Sequence, residues 1–187
     1  MTRFSAFLVA LVFAVPLALA VDDFGPPVGS ALPFELSLND HTGQVQTMET
    51  LAGEEGLLIF YTRSLDWCPF CQAQMIEVVD NAERLRDLGW GIASISYDSE
   101  DKLARFAKRN GSEIALLSDP QSRTINALDI RNKKIQEGTF AYGVPHPIVF
   151  AVRPDGEIAA KFYEQGYQKR PPLDAIIEDL KTLKSGA

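Results

Sequence analysis

A continuous apolar run that leads into two closely spaced cysteines constrains the fold of this chain more than any other feature. Residues 56–62 read Gly-Leu-Leu-Ile-Phe-Tyr-Thr, a pattern typical of a central β-strand that is buried on both faces. Shortly after this run come Cys68 and Cys71, the only two cysteines of the chain. Across residues 72–88 the apolar residues recur at helical spacing. This order of strand, cysteines and helix predicts that both thiols lie at the amino end of a helix.

Two thiols at the start of a helix form a redox-active pair. A helix N-terminus or a CxxC setting can lower the pKa of a cysteine from ~8.5 into roughly the 3.5–7.5 range, and the thiolate is the reactive form. We expect Cys68 to be the exposed, attacking nucleophile and Cys71, one turn into the helix, to be the buried resolving thiol. An inert disulfide is the alternative, but so small a loop constrains the unfolded chain very little.

Four neighbours of the cysteines are candidate site residues. Trp67 is expected to pack beside the thiols and to contribute to the surface that meets a substrate, with a plain core tryptophan as the alternative. Pro69 suits the first turn of a helix, and Phe70 supplies an apolar contact beside the nucleophile. Arg63 could stabilise an anion near the site, although a surface ion pair is the more ordinary role for an arginine.

The rest of the chain alternates between predicted strands and helices. A parallel core with an antiparallel edge, covered by helices on both faces, is the most economical α/β arrangement for this order. The predicted strands are residues 34–38, 90–97, 114–117, 147–152 and 157–163, with a turn at 39–43. The predicted helices are residues 72–88, a helix that is capped by Asp98 or Ser99 and ends at Asn110, a short helix that starts at Asp119-Pro120, and a last helix that starts at Pro172.

The first twenty residues predict a targeting segment. Arg3 supplies a positive charge, residues 4–19 form an apolar run, and residues 18–20 form an A-x-A cleavage pattern. The run is shorter than the ~20 residues that a spanning helix needs, and Pro16 interrupts it. We therefore expect a signal peptide at 1–20 and a mature domain at 21–187, located in the periplasm or secreted, with no stable membrane insertion after cleavage. An uncleaved anchor is the alternative.

The charge of the chain argues against one class of partner. The formal net charge is −7, and the densest basic run, residues 131–134, is short. A nucleic-acid-binding surface needs a basic stripe that follows the phosphates, so we expect no nucleic-acid partner.

The cysteine motif and the order of elements resemble the thioredoxin superfamily, and in particular its redoxin branch, which includes the alkyl-hydroperoxide-reductase and thiol-specific-antioxidant proteins. The resemblance covers residues 33–184. Residues 34–43 resemble the N-terminal hairpin of that branch, and residues 116–129 resemble its inserted strand and helix. The resemblance implies a thioredoxin-like fold, with a central mixed β-sheet flanked by helices and an N-terminal β-hairpin extension.

The resemblance also implies a cis-proline opposite the cysteine-bearing helix. Pro145 and Pro147 compete for this position, and we favour Pro147 because it directly precedes the apolar residues 148–152. The same loop should bring His146 near the cysteines. There it could lower the pKa of the thiolate, join Cys68 and Cys71 as a metal ligand, or remain a solvated loop residue.

The chain departs from the family pattern in two ways. Peroxiredoxins carry the motif Pro-x-x-x-Thr/Ser-x-x-Cys, but counting back from Cys68 gives Leu65 and Tyr61, and Ser64 is one residue out of register. Many thioredoxins have a buried acid in the strand before the motif, and residues 59–61 contain none. We expect Asp66 or Glu77 to take the place of this buried acid.

Three functions follow from these features. The first is thiol–disulfide exchange, in which the Cys68–Cys71 pair reacts with protein or small-thiol partners and a reducing or oxidising redox partner resets it, without a bound cofactor. The second is a thiol-dependent peroxidase that passes through a sulfenic acid. The third is a metal-binding module that holds a soft metal such as Cu(I).

Overall fold

The computed structural model describes residues 23–185. The predicted signal peptide at 1–20 lies outside the described residues. Within the described part, no helix combines the length and the apolar character that crossing a membrane requires.

The described residues contain every predicted strand and helix in the predicted order, with the short elements β2 and α1 added and one predicted helix divided into α2 and α3. The elements are β1 (Ser37–Asn39), β2 (Val45–Thr47), α1 (Met48–Leu51), β3 (Gly56–Tyr61), α2 (Pro69–Asp80), α3 (Ala82–Arg86), β4 (Trp90–Ser96), α4 (Glu100–Asn110), β5 (Ala115–Ser118), α5 (Arg123–Ala127), β6 (Ile148–Val152), β7 (Ile158–Phe162) and α6 (Leu173–Ser185).

The central sheet has five strands in the order β5-β4-β3-β6-β7. Strands β3, β4 and β5 run parallel, whereas β6 is antiparallel to β3 and β7 is antiparallel to β6. This is the predicted mixed sheet with an antiparallel edge. The carboxyl ends of the three parallel strands meet at one edge, and the loop that carries the cysteines leaves from that edge.

Strand β3 is buried on both faces, as its continuous apolar sequence predicts. Leu58 and Phe60 point into one apolar cluster, which α2, α3, α4 and α6 cover. Leu57, Ile59 and Tyr61 alternate with them and point into a second cluster, which includes residues of α5 and β1. Each of these side chains contributes roughly 1.5–3 kcal/mol of burial free energy, so β3 is a rigid base for the loop that follows.

The N-terminal hairpin is present but lies slightly later in the chain than predicted. Strands β1 and β2 pair antiparallel, with Leu38 opposite Gln46. The Asp40 carboxylate accepts hydrogen bonds from the backbone N–H groups of Thr42 (2.7 Å) and Gln44 (3.2 Å), which fixes the turn. The predicted hairpin is therefore confirmed, with its strands on either side of the turn that Asp40 fixes.

Two helix boundaries differ from the prediction. The predicted helix 72–88 is two helices, because Asn81 leaves helical geometry (φ −115°, ψ 14°) and its side-chain amide donates to the Glu77 carbonyl (2.8 Å). The short helix α5 starts at Arg123 rather than at Asp119-Pro120. The Asp119 carboxylate accepts the backbone N–H of Arg123 (2.7 Å) and so caps the helix from four residues away.

Candidate active site

The two cysteines form a disulfide at the amino end of α2. Cys68 is the N-cap residue and Pro69 occupies the first turn, where its missing N–H leaves no helical hydrogen bond unmade. The Cα atoms of Cys68 and Cys71 are 5.3 Å apart, and the Cys71 backbone N–H donates to the Cys68 sulfur (3.4 Å). The helix start therefore directs the backbone N–H of Cys71 at the Cys68 sulfur, an arrangement that favours a thiolate there after reduction.

Both sulfurs are buried, so the expectation of an exposed Cys68 is wrong. Cys68 is 1% exposed and Cys71 is 0% exposed, and both belong to an apolar cluster that includes Leu65. The irregular segment before α6 contributes to this burial, because its Arg170 contacts the Cys71 sulfur (3.3 Å). The Tyr167 ring of the same segment packs edge-on against Phe70, with 6.2 Å between centroids.

Arg170 places a positive charge against Cys71. Its Nη2 atom donates to the Cys71 sulfur (3.3 Å), and its Nε donates to the side-chain oxygen of Gln74 (2.9 Å). Burial, together with the nearby charge of Arg63, lowers the pKa of Arg170 to about 10, which leaves the guanidinium protonated at neutral pH. A thiolate on Cys71 would therefore form beside a fixed cation.

Arg63 lies at the same site instead of in a surface ion pair. Its guanidinium lies over the Trp67 ring (5.0 Å) and the Tyr167 ring (4.3 Å). The residue is only 9% exposed, and its Nε has no hydrogen-bond partner among the described residues. Burial lowers the pKa of Arg63, since a desolvated guanidinium is less stable than a hydrated one.

Trp67 is held by a chain of hydrogen bonds. Its Nε1 donates to the Tyr97 hydroxyl (2.8 Å), which donates in turn to the carbonyl of Phe140 (2.9 Å). The Trp67 ring also contacts Phe140 edge-on, with 5.2 Å between centroids. Phe70 is 39% exposed and adds apolar surface beside the disulfide. The structure thus gathers the predicted aromatic residues around the cysteines.

Asp98 is the buried acid of this site. Asp98 or Ser99 was expected to cap α4, and Ser99 is its N-cap residue. The Asp98 carboxylate instead accepts from the Ser64 hydroxyl (2.8 Å) and from the Leu65 backbone N–H (2.6 Å). Burial raises the pKa of Asp98, although these hydrogen bonds act in the opposite direction. Asp98 therefore fixes the loop between β3 and the cysteines.

The two acids that the sequence analysis offered instead lie at the surface. Asp66 pairs with Lys102 (3.2 Å) and Arg105 (3.5 Å), and the bond from Lys102 keeps the pKa of Asp66 below its usual value. Glu77 is exposed on α2.

The loop before β6 differs from the expectation in its backbone. All peptide bonds in residues 23–185 are trans, so the predicted cis-proline at Pro145 or Pro147 is wrong. Arg131 pairs with Pro145 in a β-bridge, and the His146 N–H donates to the Ile130 carbonyl (2.7 Å). These contacts fix the loop as extended chain, where the trans form is favoured by about 0.5–1 kcal/mol. Pro147 is buried beside the end of β3.

The His146 ring stacks on Phe24, with 4.1 Å between centroids, which places it against the N-terminal segment. No group of three or more His, Cys, Asp or Glu side chains within residues 23–185 is arranged to hold a metal ion. The set of Cys68, Cys71 and His146 is therefore not assembled as a metal site.

Sequence reasoning missed Arg170, Tyr97 and Asp98. A signal existed for the last two, because they directly follow β4, and the carboxyl ends of parallel strands converge at one sheet edge. No local pattern marks Arg170, which reaches Cys71 across 99 positions of the chain.

Comparison with known proteins assigns most of the chain to one family. The AhpC/TSA family model matches residues 28–161. Peroxiredoxin Bcp of Escherichia coli (strain K12) is 29% identical over 128 residues, which cover 68% of this chain and 80% of that protein. A putative peroxiredoxin of Haemophilus influenzae is 29% identical over 156 residues, covering 83% of this chain and 97% of that protein.

Solved structures confirm the fold. Peroxidoxin BcpB of Mycobacterium tuberculosis superimposes with a TM-score of 0.66 at 18% identity, covering 87% of this chain and 96% of that chain. Peroxiredoxin Q of Xanthomonas campestris gives a TM-score of 0.67 at 21% identity, covering 80% of this chain and 91% of that chain. The thioredoxin-like fold with a flanked mixed sheet is therefore established.

Proposed function

Because the chain belongs to the AhpC/TSA family and is, at that level, an oxidoreductase, we propose that it is a thiol-dependent peroxidase that works through Cys68 and Cys71. Disulfide exchange was the first hypothesis from the sequence and peroxide reduction the second. The named relatives are peroxiredoxins, and they favour the second.

The reaction begins at Cys68. In the reduced protein its thiolate, capped by the start of α2, attacks one oxygen of a hydroperoxide. A sulfur–oxygen bond forms, the oxygen–oxygen bond breaks, and the leaving oxygen takes a proton to become an alcohol or water. Cys68 is then a sulfenic acid.

Cys71 completes the cycle. Its thiolate attacks the Cys68 sulfur, the disulfide forms, and hydroxide leaves and takes a proton to become water. Arg170 stabilises the thiolate that this step needs, since it donates to the Cys71 sulfur. A thiol reductant then returns the disulfide to the dithiol. One observation carries this proposal: the Cys68–Cys71 disulfide lies at the start of α2, and the Arg170 guanidinium donates to the Cys71 sulfur.

One observation favours disulfide exchange as a second candidate. Peroxiredoxins place a hydroxyl three residues before the reactive cysteine, and here that residue is Leu65. The nearest hydroxyl, that of Ser64, donates to Asp98 and accepts the backbone N–H groups of Asp66 (3.0 Å) and Trp67 (3.2 Å). It is therefore engaged in the loop instead of facing a substrate.

Stopped-flow oxidation by hydrogen peroxide tests the proposal. Reduced protein should react far faster than free cysteine, and the rate should vanish in Cys68→Ser. In Cys71→Ser the sulfenic acid should persist and react with dimedone. A wild-type rate no higher than that of free cysteine would reject the peroxidase, and a protein captured as a mixed disulfide on Cys71→Ser would then favour exchange.

We also propose export, on the strength of the targeting segment at 1–20. Fractionation of cells that express the full chain tests this. Recovery of a shortened protein that begins near Val21 outside the cytoplasm supports export, and full-length protein in the cytoplasm overturns it.

A further inference from the structure

Two arginines lie beside the disulfide without a counter-ion. Arg63 and Arg170 form no ion pair within residues 23–185, although the surface of the same region contains several ion pairs. Both guanidiniums contact Tyr167, since Arg63 lies over its ring (4.3 Å) and Arg170 donates to its backbone carbonyl (2.6 Å). The charge of Arg63 also lowers the pKa of Arg170. Like charges held together in a partly desolvated place are unfavourable unless an anion joins them.

Within the described residues, Arg63 has an unused hydrogen-bond donor from which an anion could accept. Its Nε is buried and has no partner in the described part of the chain, so one donor of the guanidinium remains unused. The rings of Trp67 and Tyr167 hold the guanidinium by its faces, which leaves its edge as the direction for hydrogen bonds. A carboxylate accepts two parallel N–H bonds from such an edge.

The redox state decides when this anion is needed. In the reduced protein, a thiolate on Cys71 would supply a negative charge to Arg170. In the disulfide both sulfurs are neutral, and neither arginine has a carboxylate partner within residues 23–185. The need for an external anion is therefore greatest in the oxidised form, and the molecule that meets the oxidised form is the reductant.

We propose that Arg63 and Arg170 form an anion-binding subsite that takes the carboxylate of a small thiol, the reductant of the Cys68–Cys71 disulfide. The identity of this thiol as the reductant of a peroxidase rests on the proposed function. Arg170 lies outside the family match at residues 28–161, so this subsite combines a residue of the matched domain with one from the segment that follows it.

The exchange balances in two steps. The thiolate of the small molecule attacks the Cys68 sulfur, a mixed disulfide forms, and the electron pair of the broken bond leaves as the Cys71 thiolate beside Arg170. A second thiolate attacks the mixed disulfide and releases the oxidised small molecule and the Cys68 thiolate. The new charge on Cys71 competes for Arg170, which weakens carboxylate binding and favours release.

Reduction kinetics without peroxide test the subsite separately from the proposed function. Oxidised protein is mixed with 3-mercaptopropionate or with its neutral analogue 3-mercaptopropionamide, and the rate constant of disulfide reduction is measured for each thiol. The rate constant for the carboxylate is divided by that for the amide. The same ratio on 2-hydroxyethyl disulfide corrects for intrinsic reactivity. We expect the corrected rate ratio, carboxylate over amide, to be about tenfold higher in wild type than in Arg63→Gln. This is the order of magnitude that one charge-assisted hydrogen bond contributes.

Arg109→Gln is the matched control, since Arg109 is an exposed arginine on α4. It should keep the wild-type ratio. Equal corrected ratios in wild type and Arg63→Gln overturn the proposal, as does an equal loss in Arg109→Gln, which would indicate net charge alone.

A binding measurement covers the case in which Arg63→Gln does not fold. Propionate and propionamide are titrated into oxidised and reduced wild-type protein, with tryptophan fluorescence as the signal. Propionate should bind the oxidised form about tenfold more tightly than the reduced form, and propionamide should show no such difference. Propionate that binds neither form, or both forms equally, overturns the proposal.

Discussion

The guanidinium of Arg170 donates to the sulfur of Cys71 at 3.3 Å, whereas the backbone N–H of Cys71 donates to the sulfur of Cys68 at 3.4 Å. After reduction, different contacts would therefore stabilise the thiolates of the two cysteines. Cys68 relies on the start of α2, and Cys71 relies on a side chain that arrives from the segment before α6. A mutation can remove the contact from Arg170 without changing the start of α2.

Replacement of Arg170 with Gln should raise the pKa of Cys71 and slow disulfide formation. A charge-assisted hydrogen bond is worth about 1.5–3 kcal/mol, so the rate at neutral pH should fall by roughly tenfold or more. The pKa of Cys71 is read in Cys68→Ser from the pH dependence of alkylation. Arg170→Lys should recover part of the effect, and an unchanged alkylation profile in Arg170→Gln would contradict this role.

We predict that Tyr167 restricts access to the disulfide. Its ring packs on Phe70 and Arg63, and both sulfurs are buried. In Tyr167→Ala, reduction by dithiothreitol, which carries no charge to be recognised, should accelerate several-fold. Tyr142→Ala is the control, because it removes an exposed ring that packs on Arg131 instead. Equal reduction rates in wild type and Tyr167→Ala would show that entry lies elsewhere.

The fold was predictable from local patterns. The apolar run of β3 and the helical spacing after Cys71 are properties of short segments, and the structure confirms both. The break at Asn81 was not predicted, because a single amide that bonds to the Glu77 carbonyl leaves the apolar period intact. Boundaries depend on such individual bonds, whereas the existence of an element depends on many residues.

The candidate site was predictable only in part. Cys68, Cys71, Trp67, Pro69 and Phe70 are contiguous, so one motif locates them all. His146 and Pro147 were expected at the site through the resemblance to the thioredoxin superfamily; the ring of His146 instead stacks on Phe24.

The long-range partners of the site were harder to find. The Asp98 carboxylate reaches the Leu65 backbone across 33 positions of the chain, and only the convergence of parallel strands could have indicated it. Residues that meet through tertiary packing leave no periodic signal in the sequence.

The stability of the protein should depend on Asp98 in mildly acidic solution. Burial raises the pKa of Asp98 above its ordinary value of 3.8, so the folded protein holds this proton at pH values where the unfolded chain has lost it. The contribution of the protonated acid is complete below the unfolded pKa and is lost as pH rises through the folded pKa. Wild type should therefore lose stability relative to Asp98→Asn as pH rises above about 4.

Urea unfolding of both proteins at several pH values measures this difference. Asp101→Asn, which removes an exposed carboxylate from the first turn of α4, is the control for the change in net charge. A difference between wild type and Asp98→Asn that does not change with pH would contradict the raised pKa.

The hydroxyl of Tyr97 connects Trp67 to the loop that contains Phe140. In Tyr97→Phe the Nε1 of Trp67 loses its acceptor and the carbonyl of Phe140 loses its donor, while both rings keep their packing. The free energy of unfolding should fall by about 1–3 kcal/mol, the cost of leaving such groups unpaired. Tyr142→Phe is the matched control, because the Tyr142 ring is partly exposed and packs on Arg131 through its face. Denaturant unfolding of the oxidised proteins gives the free energy of unfolding of each variant. Because Trp67 adjoins Cys68, Tyr97→Phe should also change the rate of disulfide reduction. Equal stabilities of the two variants would mean that water replaces the Tyr97 hydroxyl without cost, and that packing alone positions Trp67 beside the cysteines.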